Sequence, residues 1–340
     1  MKILATTTYL AAMLAAAPAS AQSVPADLEA FRDCEACPEM VALPAGSFMM
    51  GASEADRRVP FAVTDNEEPR HQVTFDYRFA ISRFTVTVAQ FAAFVEETGL
   101  RTGGECLLRI PDTGRNAGKF IGTISANANE YESGAGVALV EQADFRRPGT
   151  EVDDDQPATC ISRREAKAYL AWLSQKSGRK YRLPTEAEFE YATRAGEEGP
   201  YFFGADQARL CEYANFADRK SVYGAAMVAP CAERNSREYT YPVGSFRPNN
   251  WGLHDMVGNV FQFVEDCASV DYRGAPTDGS PYRGGGRCDA FATRGFFFDS
   301  VAVNLRSAAR CEALSSEDQR SNGLGLRVAV SLDGNAWDLR

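Results

Sequence analysis

Two groups of residues in this chain have types and spacings that chemistry could use. The first is the run Asp255-Met256-Val257-Gly258-Asn259-Val260-Phe261-Gln262, where side-chain oxygens alternate with backbone carbonyls over one tight loop. Hard cations such as calcium take an all-oxygen set of that kind, although the same residue types also cap turns without any metal. The second group is the nine cysteines, which pair with one another wherever the compartment is oxidising. Nearest partners give Cys34 with Cys37, Cys106 with Cys160, Cys211 with Cys231 and Cys267 with Cys288, leaving Cys311 over. A redox reading of Cys34-Glu35-Ala36-Cys37 needs a strand-to-helix setting that this stretch does not offer.

Other chemistries find little footing. The two histidines, His71 and His254, stand apart from each other and from any cysteine cluster, so a histidine-based zinc site has no basis. Serine-nucleophile and phosphate-loop motifs are absent. Gly284-Gly285-Gly286 reads as a tight turn, and Asp153-Asp154-Asp155 as a solvated acidic patch rather than a cation site. A net charge of −10 without basic runs argues against nucleic acid as a partner.

The elements that must position these groups announce themselves by their ends. Residues 1–21 carry Lys2, an apolar run from Ile3 to Ala17 and Ala19-Ser20-Ala21, the layout of a cleaved secretory signal. The run is too short for a comfortable permanent anchor, so no stable membrane insertion is expected after cleavage, and the mature protein is expected to be periplasmic or secreted. Residues 22–39 read as a leader tied by the first cysteine pair, residues 40–331 as the domain, and 332–340 as a tail. Val41–Gly51 suggests a β-hairpin broken at Pro44-Ala45-Gly46, followed by a β segment over Gln72–Ile81. Three helices open at Thr87, Ser162 and Thr185, each followed three residues later by Gln90, Glu165 or Glu188, the reciprocal capping pattern. Gly99, Gly178 and Gly196 are placed to close them. Residues 101–157 are polar, glycine-rich and aperiodic, which reads as a long decorated insertion loop. Beyond Gly196 the text predicts irregular α+β structure held by loops, metals or disulfides.

Four blocks in order resemble the formylglycine-generating-enzyme family of sulfatase-modifying factors. They are the run from Met40 to Gly51, Tyr181 to Ala192, Asn250 to Val260, and Leu305 to Arg310 followed by Gly323 to Arg327. The resemblance implies a variant C-type-lectin-like α+β fold with little regular secondary structure. It also implies two calcium sites, one using Asp255, Gly258, Val260 and Gln262, the other Asn215, Phe216, Asn235 and Arg237. Gln262 and Asn235 stand where the family usually has acids, so both sites should bind calcium more weakly. The family's oxidase holds copper with two cysteines ahead of the arginine-rich block; here the matching stretch, Arg294 to Val303, contains none. Cys288 and Cys311 flank it as the remaining thiol candidates, far apart in sequence. Phe296-Phe297-Phe298 within it is either core or an apolar binding wall. These features imply an accessory or tailoring factor acting on an exported protein or secreted small molecule by a route other than dithiol copper. The rivals are a non-catalytic lectin-like binding module and a true formylglycine-generating oxidase, while an iron-dependent sulfur-adding activity lacks the histidines it needs.

Overall fold

The computed structural model describes residues 28–110, 129–130, 136–217, 231, 239–284, 288–311 and 316–333. The expected signal at 1–21 and most of the tail at 332–340 lie outside them.

A five-stranded sheet forms the floor, in the order β1 (Ala30–Phe31), β2 (Met40–Leu43), β5 (Phe79–Ser82), β13 (Ala329–Ser331) and β9 (Tyr181–Arg182). The expected leader thus contributes an edge strand, and Cys37 is fully buried in the main core. The expected hairpin does not form. β2 pairs with β1 and β5, while β3 (Gly46–Met50) pairs with β4 (His71–Phe75) in a separate two-stranded sheet. The reason is local: Pro44 fixes φ near −65°, and two-residue hairpin turns need positive φ at the first turn position. The β segment over Gln72–Ile81 likewise splits into β4 and β5, which belong to different sheets.

The helices follow their caps. α2 (Val88–Thr98) and α3 (Arg163–Ser177) have both halves of the capping box and end on left-handed Gly99 and Gly178. The short α1 (Glu54–Arg57) is boxed by Ser53 and Asp56. α4 (Glu186–Arg194) starts at Thr185 as expected, but its left-handed stop is Ala195 (φ 47°), one residue before Gly196. Ala195 is small enough to remain in the hydrophobic cluster around Phe75 and Tyr191, which holds it there. A last helical turn, α5 (Leu210–Tyr213), carries Cys211.

The insertion is not a loop in its described part. β6 (Gly104–Ile110), β8 (Gly136–Ala143) and β7 (Asn129–Glu130) make a three-stranded antiparallel sheet. Cys106, Leu108, Ala138 and Val140 turn inward onto Cys160, while Leu107, Arg109 and Leu139 face outward. Alternation this short, set among polar residues, does not stand out from loop sequence. The second half is irregular as expected, with β10 (Phe261–Cys267) between β11 (Phe291–Arg294) and β12 (Leu324–Gly325) as its main sheet. The four disulfides are Cys34–Cys37, Cys106–Cys160, Cys211–Cys231 and Cys267–Cys288, and Cys311 stands outside them. No helix among the described residues is long and apolar enough to cross a membrane.

Candidate functional site

Every residue of α4 is buried, acids included. Glu188 forms a two-point ion pair with Arg182 (2.7 Å to each oxygen), and Glu190 meets Arg194 at 2.8 Å and Arg294 at 2.9 Å. Glu186 takes Arg310 at 2.7 Å and Arg294 at 3.3 Å. Burial works against the Glu190 carboxylate, but Arg194 and Arg294 outweigh it and hold its pKa below the ordinary value. This cluster fixes the end of β11, from which the stretch Arg294–Val303 leaves.

That stretch turns sharply. Gly295 (φ 91°) and Phe296 (φ 58°) both take positive φ, a conformation that a bulky residue such as phenylalanine rarely adopts. The three phenylalanines are core: Phe296, Phe297 and Phe298 are at most 9% exposed, which removes the apolar-wall alternative. Phe297 lies against Gly323, where an added Cβ would come within 2.3 Å of its ring. The turn ends on Asp299, whose side chain is 8% exposed and pairs with Arg109 of β6 at 2.8 Å. Arg109 is held by Asn322, which accepts from its backbone N–H at 3.0 Å and donates back to its carbonyl at 3.3 Å. Sequence reasoning missed this pair, because Arg109 sits in what reads as a loop and Asp299 has no patterned neighbour.

Burial pushes the Asp299 carboxyl up to about 6 against the pull of Arg109. At pH values below the unfolded pKa, both states hold the proton and nothing is lost. Between that value and about 6 the native state binds more protons, so stability falls as pH rises, and the penalty is complete above 6. Asp266, raised to about 7 by burial and by Glu186, adds a slope of the same sign. Asp299→Asn should therefore gain up to ~3 kcal/mol relative to the native protein between pH 4 and pH 8. Urea unfolding of both proteins at the two pH values checks this, and equal pH slopes would remove the assignment.

The expected cation residues come together only in part. Asn215 and the Asp255 loop interlock: Asn259 N–H donates to the Asn215 carbonyl at 2.9 Å, and Asn215 Nδ2 donates to Asn259 Oδ1 at 3.1 Å. Gly258 (φ 75°) has no room for a side chain, since a Cβ would lie 2.3 Å from the Asn215 carbonyl. Phe216 is buried in the same hydrophobic cluster as Phe296, Val260 is buried immediately before β10, and Asn235 and Arg237 lie outside the described residues. The Gln262 carboxamide is engaged at both ends, Oε1 accepting from Arg327 Nε at 2.8 Å and Nε2 donating to the Asp255 carbonyl at 2.9 Å. As a calcium ligand it does not fit. Asp255 accepts from Gly244 N–H through Oδ2, and its buried Oδ1 has no hydrogen-bond partner among the described residues, so Asp255 keeps a donor atom suited to a cation. Burial raises the Asp255 pKa. Cys288 is bonded to Cys267, so it cannot join Cys311 as a second thiolate.

A disulfide-stapled α+β scaffold, poor in regular structure and built on an ionic core at α4, is that of a sulfatase-modifying factor. The chain belongs to this family: residues 26–332 match the Sulfatase-modifying factor enzyme 1-like domain. It is similar to the formylglycine-generating enzyme of Streptomyces coelicolor, 31% identical over 304 residues, covering 86% of this chain and 89% of the relative. It is also similar to the inactive C-alpha-formylglycine-generating enzyme 2 of Bos taurus, 28% identical over 303 residues and covering 85% and 87%. Among solved structures, PvdO from Pseudomonas aeruginosa shares 32% identity at a TM-score of 0.69, covering 90% of this chain and 98% of that one.

Proposed function

We propose that this protein is an exported tailoring factor of the sulfatase-modifying family that acts on an exported protein or a secreted small molecule without the copper dithiol. One observation carries the reading: the stretch that resembles the family's copper-binding segment is a buried aromatic turn without sulfur, ending on the Asp299–Arg109 pair. The expected signal at 1–21 and the four disulfides support export to an oxidising compartment. Similarity to both an enzyme and a relative described as inactive leaves the chemistry to the site itself.

The test compares the exported proteins and secreted metabolites of a strain lacking this gene with the same strain carrying it, by mass spectrometry. A species whose mass changes only when the gene is present supports the reading. An unchanged inventory, with the purified protein retained on one component, would replace it by the lectin-like binding module. Conversion of a sulfatase-motif peptide's cysteine to an aldehyde in the presence of copper would replace it by the oxidase.

For calcium, the proposal is weak binding through Asp255, because the Gln262 amide is already engaged. Thermal unfolding in calcium against EDTA should shift only at about millimolar calcium, the range of low-affinity extracellular sites. A shift saturating at micromolar calcium would mean that Gln262 turns to the ion.

A further inference from the structure

The β6 strand of the insertion brings more than a salt bridge to the cysteine-free turn. Leu107 N–H donates to the Arg320 carbonyl at 2.9 Å and the Leu107 carbonyl accepts from Asn322 N–H at 3.1 Å, so β6 is zipped onto the segment before β12. On its outward face Leu107 is 37% exposed, and Leu139, its partner across the sheet, is partly exposed. The same face carries Arg109, one-third exposed, with Asp299 beneath it at 2.8 Å. The Arg109 guanidinium also lies 5.9 Å from the Phe297 ring centre. A carboxylate still touched by solvent is thus held against a cation whose backbone is clasped by Asn322, on the strand face that also carries Leu107. The backbone that presents it takes the left-handed conformation at Phe296, the kind of local strain that persists where surrounding structure holds a working group in place.

We propose that Asp299, held under Arg109, exchanges a proton with a substrate that has an apolar body and an ionisable O–H or N–H. In the forward direction the substrate X–H bond breaks and an O–H bond forms on Asp299. The carboxyl becomes neutral, Arg109 is left to stabilise the substrate anion, and the proton later passes to water. No oxidant or reductant is needed for this step. Arg109 is the cation that meets the substrate anion, and Leu107 with Leu139 offers the apolar contact. Burial sets Asp299 where a proton can be both taken and returned near neutral pH, and Arg109 is the charged group that acts on it among the described residues.

The inference rests on the proposed function, and the experiments separate the two. Asp299→Asn, Asp299→Glu and Arg109→Gln variants are exported in the deletion strain, and their folding is checked by thermal unfolding. Asp299→Asn should lower formation of the gene-dependent product by ~100-fold or more, within the range for loss of a general acid–base group. Arg109→Gln should move the acidic limb of the pH profile upward, because it removes the cation that favours the ionised carboxylate. In parallel, carboxyl NMR titration of the purified protein should give an Asp299 midpoint near 6 that rises in Arg109→Gln. Wild-type product formation by folded Asp299→Asn would overturn the inference while leaving the proposed function standing. If deletion changes no product, the proposed function fails, and the titration then decides: a midpoint in the ordinary carboxylate range, indifferent to Arg109, overturns the proton-exchange role as well.

Discussion

Arg294→Met is expected to cost about 3–5 kcal/mol of unfolding free energy, a large share of the ~5–15 kcal/mol typical of a folded domain. Arg294 is 1% exposed and bonds Glu190, Glu186, the Tyr272 hydroxyl and the carbonyls of Ser307 and Ala308. Methionine fills similar space but leaves two buried carboxylates short of a cation and two carbonyls short of a donor. The loss should not be total, because Arg194 still serves Glu190 and Arg310 still serves Glu186. Adding Glu190→Gln should deepen the loss, because buried Arg194, paired with Glu190 at 2.8 Å, then loses that carboxylate as well. Urea unfolding of the single and double variants at pH 7 measures both quantities. A single-variant cost below ~1 kcal/mol would mean that the cluster contributes little to stability.

The second large effect is expected from removing the Cys106–Cys160 disulfide. Its half-cystines are 54 residues apart, and for a loop of that length the chain-entropy account gives about 4 kcal/mol. Both sulfurs sit in the small cluster of Leu108, Ala138, Val140 and Ala143, so Cys106→Ala with Cys160→Ala also loses packing there. The expected result is a fall of about 3–5 kcal/mol in unfolding free energy. Proteolysis should begin within residues 104–143 while the rest of the chain holds, because β6 has lost its covalent tie to the segment before α3. Cleavage starting elsewhere would show that the insertion sheet stands without the disulfide. The consequence for function is direct, since the same strand carries Arg109 to Asp299.

Much of the frame is legible in the amino-acid order because its causes are local. Thr87 with Gln90, Ser162 with Glu165 and Thr185 with Glu188 start helices where their spacing says they should, since a capping box needs only four consecutive residues. Eight of the nine cysteines pair in consecutive order along the chain, and the family is carried by blocks of ten or so residues. The run at Val41–Gly51 shows where local reading stops: its strands are identified, but pairing is decided by Pro44 and by strands elsewhere in the chain that compete for the same edges.

What only the tertiary structure decides is how distant charges meet. Glu186, Glu188 and Glu190 are charged residues of one helix, and they are buried because Arg182, Arg294 and Arg310 arrive from three other segments. Phe296, Phe297 and Phe298 become core rather than a binding wall because Gly323 leaves space for the middle ring. The Gln262 side chain turns from a possible metal ligand into a partner of Arg327. Asp299 acquires its cation only when β6 docks beside Asn322, a contact that no sequence period records, because ion pairing depends on distance in space and the chain is free to bring any two segments together.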